Sequence, residues 1–476
     1  MRKKLVAILV AVFTAATMTF SLTGCTKNKA NEISILLLAN NSETVFYTQY
    51  FKDMEAALRE EGLDYTIKFT GQQEKDYYNT LGSLIQQGAT PDIFYVRPNE
   101  LLQYKDLITS LQSYADSQQD VDLTNIYDVA LDMYRFNPDT GALGNKSDEL
   151  YAFPKDLSTQ QLGYNKALLS TVAQAVKSET GLKMPWEMNF ETENYSWAEY
   201  KKLCESIAKK LPANHYASDI PNVEILAKSF GSDNSATTSP LIDLSSGRAN
   251  GKVGSLTDGP VQKAIKYQAE LVASGAADYE GATYANMTAG RVCFYGLMGS
   301  WEVADYDDHL GADNWGVMPW PTEDGATDWQ GLITSAGYVV SAQCASMDKG
   351  DVAKRIALSF MSNSTQEKMV RTAKISLPLR KNVKDDYLNA ENDEIYSPKT
   401  RNVFIDVISG EHGFYPAKYS TFDAVWLDEL TTQLSVMYNK GSGAVSFFNS
   451  PSGDGTYSWS ALQNRMQQQY DATKNS

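Results

Sequence analysis

The sequence contains few of the residues that metal and imidazole chemistry require. Only 3 of its 476 residues are histidine and 4 are cysteine, which leaves few ligands for metal sites and few partners for Cys–His catalysis. Positive charge is also scarce, because 42 Lys and Arg stand against 58 Asp and Glu, a formal net charge of -16. That charge repels polyphosphate, so nucleic acid is not expected as a partner.

Aromatic residues are abundant by comparison, with 28 Tyr, 17 Phe and 8 Trp. Hydrophobic residues make up 43% and charged residues 21% of the chain, a balance typical of globular proteins rather than of disordered or polytopic membrane chains. The length predicts two or three domains. The composition therefore favours binding through aromatic rings over catalysis through imidazole.

No catalytic motif supports an enzyme. The chain has no G-x-S-x-G or H-E-x-x-H sequence, no Gly-rich phosphate loop after a strand, and its three histidines are far apart. Adjacent carboxylates could suggest a glycosidase, but neighbours on a chain rarely face one substrate, so we interpret both pairs as solvated turns: Asp307 with Asp308, and Asp385 with Asp386. We expect no enzyme, no metal and no cofactor.

The N-terminus has the pattern of a secretory signal. Three basic residues, an apolar run over residues 5–20 and small residues precede Cys25. The sequence LTGC at residues 22–25 resembles a bacterial lipobox, in which the cysteine is lipidated and becomes the first residue. This resemblance implies a signal peptide over residues 1–24, a lipid anchor and stalk over 25–32, and a location on the extracytoplasmic face of the cell membrane.

Alternating strands and helices follow the stalk. Apolar runs predict strands at residues 33–38, 65–69 and 91–96, and amphipathic periodicity predicts helices at 46–61 and 77–87. This order is typical of an α/β layer with largely parallel pairing. Later helices are predicted at 166–179, 197–211 with Ser196 as N-cap, 260–274, 351–370 and from Ser460 onward. We expect Cys204, Cys293 and Cys344 to be buried free thiols.

Several segments, taken in order, resemble the carbohydrate-type extracellular solute-binding proteins of ABC importers, the group that includes maltodextrin-binding proteins. The segments are residues 88–94 (GATPDIF), 151–156 (YAFPKD), 164–166 (YNK), 195–199 (YSWAE), 290–296 (GRVCFYG), 299–301 (GSW) and 315–321 (WGVMPWP). The resemblance covers roughly residues 33–380.

This resemblance implies an α/β, two-lobe fold like that of periplasmic binding proteins, with a hinge and a ligand cleft between the lobes. Lobe one would hold residues 33–150 and 325–380, and lobe two residues 151–324 and 381–476. A monomer would bind a carbohydrate through aromatic rings and planar polar side chains. It would then deliver the carbohydrate to ABC permease subunits. The lobes would close around the ligand.

The resemblance also implies ligand-binding residues. Trp301 occupies the position at which the family stacks a ring on the sugar, and the alternative is a buried core tryptophan. The other candidates follow strand ends or lie in loops: Asn40, Asn41, Glu43, Tyr95, Arg97, Asp156, Ser158, Thr159, Trp329, Tyr415 and Phe422. Alternatives remain open, because Ser42 could cap an ordinary turn after the first strand, Arg97 could pair with a structural carboxylate, and Asp156 could cap a turn.

Two other functions fit the same residues. A tethered glycan-binding protein without a transporter could have the same cleft as a transport receptor. A protein that binds another small solute could have the same fold. A glycosidase is the weakest alternative, because both adjacent pairs of carboxylates are interpreted as solvated turns.

Overall fold

The computed structural model describes most of the chain after the predicted signal peptide. The described residues are 30–118, 121–139, 141, 143–231, 241–243, 252–256, 258–278, 280–373, 375–383, 398–409, 412–414 and 459–473. Three candidate residues lie outside them: Cys25, Tyr415 and Phe422.

The described strands are short and scattered along the chain. In chain order they are β1 (Glu32–Leu38), β2 (Thr66–Gln72), β3 (Ile93–Val96), β4 (Phe153–Pro154), β5 (Ser158–Asn165), β6 (Tyr216–Ser218), β7 (Ile242–Asp243), β8 (Lys252–Val253), β9 (Val292–Gly299), β10 (Trp315–Met318), β11 (Gly331–Thr334), β12 (Gly337–Val340) and β13 (Gly413–Phe414).

Helices separate most of these strands. They are α1 (Asn41–Glu60), α2 (Glu74–Gln86), α3 (Gln112–Ser117), α4 (Asp128–Asp132), α5 (Lys166–Thr180), α6 (Trp197–Ala208), α7 (Val223–Ser229), α8 (Gly259–Ala273), α9 (Tyr284–Thr288), α10 (Val303–Leu310), α11 (Ala342–Ala345), α12 (Gly350–Ser359), α13 (Asn363–Glu367), α14 (Pro398–Ile408) and α15 (Trp459–Thr473).

The first sheet has the order β2-β1-β3-β12-β4. β1 pairs in parallel with both β2 and β3, which confirms the predicted strand–helix alternation at the start of the chain. β12 then inserts antiparallel between β3 and β4. The apolar run of β1 is buried as expected, with Ile33 and Leu37 fully enclosed, because helices cover both faces of a parallel sheet.

The second sheet has the order β13-β11-β5-β9-β6, and β10 also pairs with β5. β5 is the long central strand: β11 and β10 pair with successive parts of it, and β9 lies along its other side. One face of this sheet belongs to a separate apolar cluster that includes Leu162, Trp197 and Trp320. The two separate sheets confirm the predicted two-lobe α/β fold.

The chain passes between the sheets at closely spaced points. Residues 155–157 connect β4 of the first sheet to β5 of the second, and residues 335–336 return from β11 to β12. α12 packs on β12 of the first sheet, whereas α14 packs on β5, β10 and β11 of the second, so the chain crosses again between these two helices. The crossings place residues 155–159 and 334–336 at the junction of the two sheets.

The expectation of one long helix over residues 351–370 is wrong. α12 ends at Ser359, and α13 begins after Ser362, whose side chain accepts a hydrogen bond from the Thr365 amide. A serine that bonds to the backbone in this way favours a new helix start over continued helix. A turn of π-helix follows over Lys368–Thr372. Amphipathic periodicity continues across such a break and therefore hides it.

The cysteine prediction is confirmed within the described residues, where Cys204, Cys293 and Cys344 are free and buried. Burial raises the pKa of the Cys204 thiol, so it stays protonated and unreactive at neutral pH. None of the helices in the described part of the chain is both long and apolar enough to cross a membrane.

Candidate ligand-binding site

The turn after β1 is fixed by a capping box at the start of α1. The Asn40 side chain accepts a hydrogen bond from the Glu43 amide at 2.8 Å, and Glu43 Oε2 accepts one from the Asn40 amide at 3.0 Å. Asn40 is therefore the N-cap residue, and the alternative in which Ser42 caps this turn is wrong. Asn41 lies next to the cap with an exposed side chain, at the carboxyl end of a parallel strand, where ligand sites of open α/β sheets occur.

Glu43, Lys155 and Asp156 form a buried ion cluster at the first crossing. Lys155 Nζ lies 2.8 Å from Glu43 Oε1 and 3.1 Å from Asp156 Oδ2. None of the three residues is more than 5% exposed. Burial alone would lower the pKa of Lys155, but the carboxylates of Asp156 and Glu43 outweigh it and raise this pKa. The lysine thus stays charged and paired, as a buried ion must be.

Tyr95 and Arg97 lie at the end of β3 and contact each other. Arg97 Nε donates to the Tyr95 hydroxyl at 3.3 Å, and the Arg97 guanidinium forms an ion pair with Glu74. The guanidinium also lies 5.8 Å from the centre of the Tyr78 ring. Arg97 therefore does pair with a carboxylate, although its side chain remains 39% exposed. Tyr95 is buried.

Ser158 and Thr159 begin β5 and bond to its neighbouring strand β11. The Ser158 hydroxyl lies 3.2 Å from the Thr334 hydroxyl, and Thr159 Oγ1 donates to the Leu332 carbonyl at 2.8 Å. Both are buried. Their hydroxyls therefore have internal partners that hold β5 against β11.

Trp301 lies in the turn after β9 and is half-buried, which excludes the alternative of a buried core tryptophan. A Cβ atom placed on Gly299 would lie 2.4 Å from the indole ring, so only glycine permits the ring to lie against this backbone. The turn is joined to the junction of the sheets, because the Ser300 amide donates to the Thr159 carbonyl at 3.0 Å. Trp301 is thus held beside the crossings with part of its ring accessible.

Glu302 follows Trp301 directly, and Leu297 lies on the strand before it; sequence reasoning missed both. Glu302 Oε2 accepts from the Gly299 amide at 3.0 Å and from the Tyr306 hydroxyl at 3.2 Å, and burial raises the pKa of Glu302 to about 7. Leu297, on β9 itself, is 43% exposed. Leu297 is therefore an exposed apolar side chain on a strand that has neighbours on both sides.

Trp329 has a different environment from Trp301. Its ring stacks on the His412 ring, with centres 4.4 Å apart and planes 2° from parallel. The His412 Nδ1 atom lies 2.9 Å from the Trp329 carbonyl oxygen. Trp329 is 3% exposed, so this aromatic loop residue packs against its neighbours.

The structure brings five of the candidate residues to one region. Glu43, Asp156, Ser158 and Thr159 meet at the crossings, and Trp301 is joined to them through Ser300. Lys155 belongs to this group and was missed, although it lies inside the segment YAFPKD that carries the family resemblance. Trp329 lies next to β11 but faces His412. In the described ranges no group of three or more His, Cys, Asp or Glu side chains is placed to hold a metal ion.

Asp219 directly follows β6, the strand that pairs with β9. No signal in the sequence marks it. Its Oδ2 atom accepts a hydrogen bond from the Gly296 amide at 2.8 Å. Burial raises the pKa of Asp219 to about 8, whereas an unfolded aspartate titrates near pH 3.9. Between these values the folded chain holds a proton that the unfolded chain has released, so this group makes stability fall as pH rises from about 4 to about 8.

Replacing Asp219 with asparagine is therefore expected to flatten the pH dependence of stability. Asp219→Asn keeps an oxygen that can accept from the Gly296 amide and removes the titration. Denaturant unfolding at pH 5 and pH 8 should show a smaller loss of stability in the variant than in the wild type. Other titrating groups are common to both proteins and cancel in this difference. An identical loss in the two proteins would show that Asp219 does not titrate in this range.

The fold and this junction define a two-lobe binding protein, and comparison with known proteins agrees. The bacterial extracellular solute-binding protein family matches residues 50–396. The chain therefore belongs to this family, and an extracytoplasmic location follows from membership. No curated protein matches the chain's sequence at a significant level.

Solved structures share the fold at low sequence identity. The sugar-binding protein MalE from Xanthomonas citri is 17% identical, with a TM-score of 0.64. The alignment covers 93% of this chain and 97% of the MalE chain. An ABC substrate-binding protein from Listeria monocytogenes in complex with cycloalternan is 14% identical with a TM-score of 0.62, covering 93% and 99%. The maltotriose-binding protein of Thermus thermophilus is 15% identical with a TM-score of 0.60, covering 92% and 99%.

Proposed function

We propose that this chain is a lipid-anchored extracellular receptor that binds a carbohydrate, an oligosaccharide in particular, between its two lobes and delivers it to an ABC permease. The observation that carries the proposal is Trp301, a half-buried ring held at the junction of the two sheets. The names and ligands of the solved relatives support sugar as the ligand class, and family membership supports a transporter as the partner.

Sugar recognition needs flat apolar faces and planar polar groups. The accessible part of the Trp301 ring provides the first, because a pyranose ring stacks its C–H face on an aromatic ring. Asn41 and Arg97 provide the second through side chains that remain partly exposed. We assign direct contacts to these three residues, and also to Tyr415 and Phe422, which lie outside the described residues.

The remaining candidates form the layer beneath the ligand in this proposal. Their polar atoms already have internal partners, so they would shape and hold the site instead of contacting sugar directly. They are Asn40, Glu43, Tyr95, Asp156, Ser158, Thr159 and Trp329.

The proposal also places the chain on the cell surface. A signal peptide over residues 1–24 would direct export, and lipidation at Cys25 would tether the protein by residues 25–32. Lobe one would comprise 33–150 and 325–380, and lobe two 151–324 and 381–476. The boundaries at 150 and 324 lie shortly before the crossings at 155–157 and 335–336. Closure of a monomer around sugar would create the surface that the permease binds.

A thermal-shift screen of the purified chain against mono- and oligosaccharides tests this function. A sugar at one hundred times its dissociation constant is expected to stabilise the fold by about 2.7 kcal/mol and to raise the melting temperature. Chromatography of the same mixture should show the sugar unchanged. Stabilisation by peptides or polyols and by no sugar would overturn the proposed ligand, and a hydrolysis product would overturn the receptor.

A further inference from the structure

The two crossings are fastened directly to each other. The Lys155 amide donates to the Ala336 carbonyl at 2.7 Å, and the Ala336 amide donates to Asp156 Oδ1 at 3.1 Å. The Ser335 hydroxyl also donates to the Asp156 carbonyl at 2.6 Å. These bonds make residues 155–156 and 335–336 one unit, through which any change in the angle between the sheets must pass.

The Lys155 side chain ties this unit to the first sheet. Its ammonium group joins Asp156 on the crossing to Glu43 at the start of α1. The other oxygen of Glu43 accepts from the Asn40 amide, so the end of β1 and the start of α1 are part of the same set of bonds. Lys155 Nζ also lies 5.8 Å from the centre of the buried Tyr47 ring.

A third segment meets the same residue. Gln366 Nε2 donates to the Lys155 carbonyl at 2.7 Å, and Gln366 Oε1 accepts from the Leu379 amide at 2.9 Å. Leu379 lies on the stretch that leads to the third passage of the chain. The side chain of Lys155 therefore contacts the first lobe and its backbone contacts both other segments at the junction.

We propose that Lys155 is a positioning residue that restricts the angle between the lobes in the ligand-free protein, and thereby sets the affinity for ligand. Only the effect on ligand affinity rests on the proposed function, because the restriction of the angle concerns the ligand-free protein. We call Glu43, Lys155, Asp156 and Ala336 the hinge cluster.

The physical reason is the charge balance of the hinge cluster. Without the ammonium group, two buried carboxylates remain close together with no counter-ion, and each gains by moving toward water. Solvation of these carboxylates then competes with the hydrogen bonds between the crossings. As a result, the lobes sample more relative orientations. A ligand that requires one orientation binds more weakly in proportion to the fraction of molecules that adopt it.

The experiment compares Lys155→Met with a matched buried lysine, Lys349→Met. Lys349 Nζ lies 2.6 Å from Asp92 Oδ2, and this pair belongs to the first sheet, remote from the crossings in the hydrogen-bond network. Spin labels at Glu60→Cys on α1 and Asp308→Cys on α10, in the full chain carrying Cys25→Ser, report the distance between lobes by double electron–electron resonance. Both labelled positions are exposed, whereas Cys204, Cys293 and Cys344 are buried.

We expect Lys155→Met to broaden the ligand-free distance distribution and to weaken binding of the sugar found by the thermal screen by about tenfold. Lys349→Met should leave the distribution unchanged and the affinity within about twofold. Lys155→Arg, which keeps the charge, should restore most of the wild-type behaviour. An unchanged distribution in folded Lys155→Met, or equal broadening in Lys349→Met, would overturn the role of Lys155.

A milder variant keeps the test decisive if Lys155→Met does not fold. Glu43→Gln retains an oxygen that can accept from the Asn40 amide and removes one carboxylate from the hinge cluster. Lys155 remains paired with Asp156 in this variant but loses its ion pair to the start of α1. The variant's distribution should therefore broaden in the same direction but less, and a distribution identical to the wild type would overturn the proposal. If no sugar binds the wild-type chain, the proposed function fails, whereas the ligand-free distances still test Lys155.

Discussion

Trp301→Ala is expected to weaken sugar binding by about tenfold or more, because a stacked ring contributes roughly 1–2 kcal/mol through its buried area and its geometry. The half-buried ring rests on Gly299, so its removal exposes backbone at the site without opening a cavity in either core. Titration calorimetry on the purified chain measures the change.

Trp186→Ala is the matched control for this substitution. Trp186 is also half-buried and lies in the second lobe, where its ring is 6.3 Å from that of Tyr164. Its removal should cost some stability and leave the affinity for sugar unchanged. Wild-type affinity in a folded Trp301→Ala protein would remove this residue from the ligand site, and with it the observation on which the proposed function depends.

Lys349→Met is expected to lower the free energy of unfolding by about 3–5 kcal/mol, because it leaves a buried carboxylate without its counter-ion. Lys349 Nζ contacts both Asp92 Oδ2, at 2.6 Å, and the Glu32 carbonyl, at 2.8 Å. The two charged side chains are each 1% exposed. The Asp92 carboxylate also accepts hydrogen bonds from the amide and hydroxyl of Ser34. These bonds connect the start of β1 to the residue before β3.

Chemical denaturation measures this loss against an exposed pair. Lys263 and Glu323 form an ion pair whose side chains are 55% and 52% exposed, and Lys263→Met should change stability little because water screens both charges. Equal stabilities of the Lys349→Met and Lys263→Met proteins would show that the Lys349–Asp92 pair does not hold the first sheet together.

The first third of the fold was predictable because its signals are local. The buried run of β1, the stripe on α1 and the glycines that follow each helix all lie within a few residues of the element they define. Gly62 and Gly88 have φ of 81° and 69°, a conformation that glycine adopts without strain. The insertion of β12 between β3 and β4 was not predictable, since periodicity within a strand does not identify its partner.

The candidate site was predictable only where a motif fixed the backbone. The GSW segment identified Trp301 as a candidate through the family resemblance, and the structure has this residue in the turn after β9. Lys155 was missed because a lysine in a sequence normally indicates surface. Its burial depends on Glu43, which lies 112 residues away along the chain. Asp219 was missed for the same reason, because only the folded chain brings it to Gly296.

Small-angle X-ray scattering with and without sugar tests the central claim most directly. If the ligand binds between two lobes, the sugar identified by the thermal screen should reduce the radius of gyration of the purified chain, because the ligand favours the closed arrangement. Trp301→Ala should need a higher sugar concentration to give the same reduction. A sugar that stabilises the protein but leaves its scattering unchanged would contradict binding by closure of the lobes.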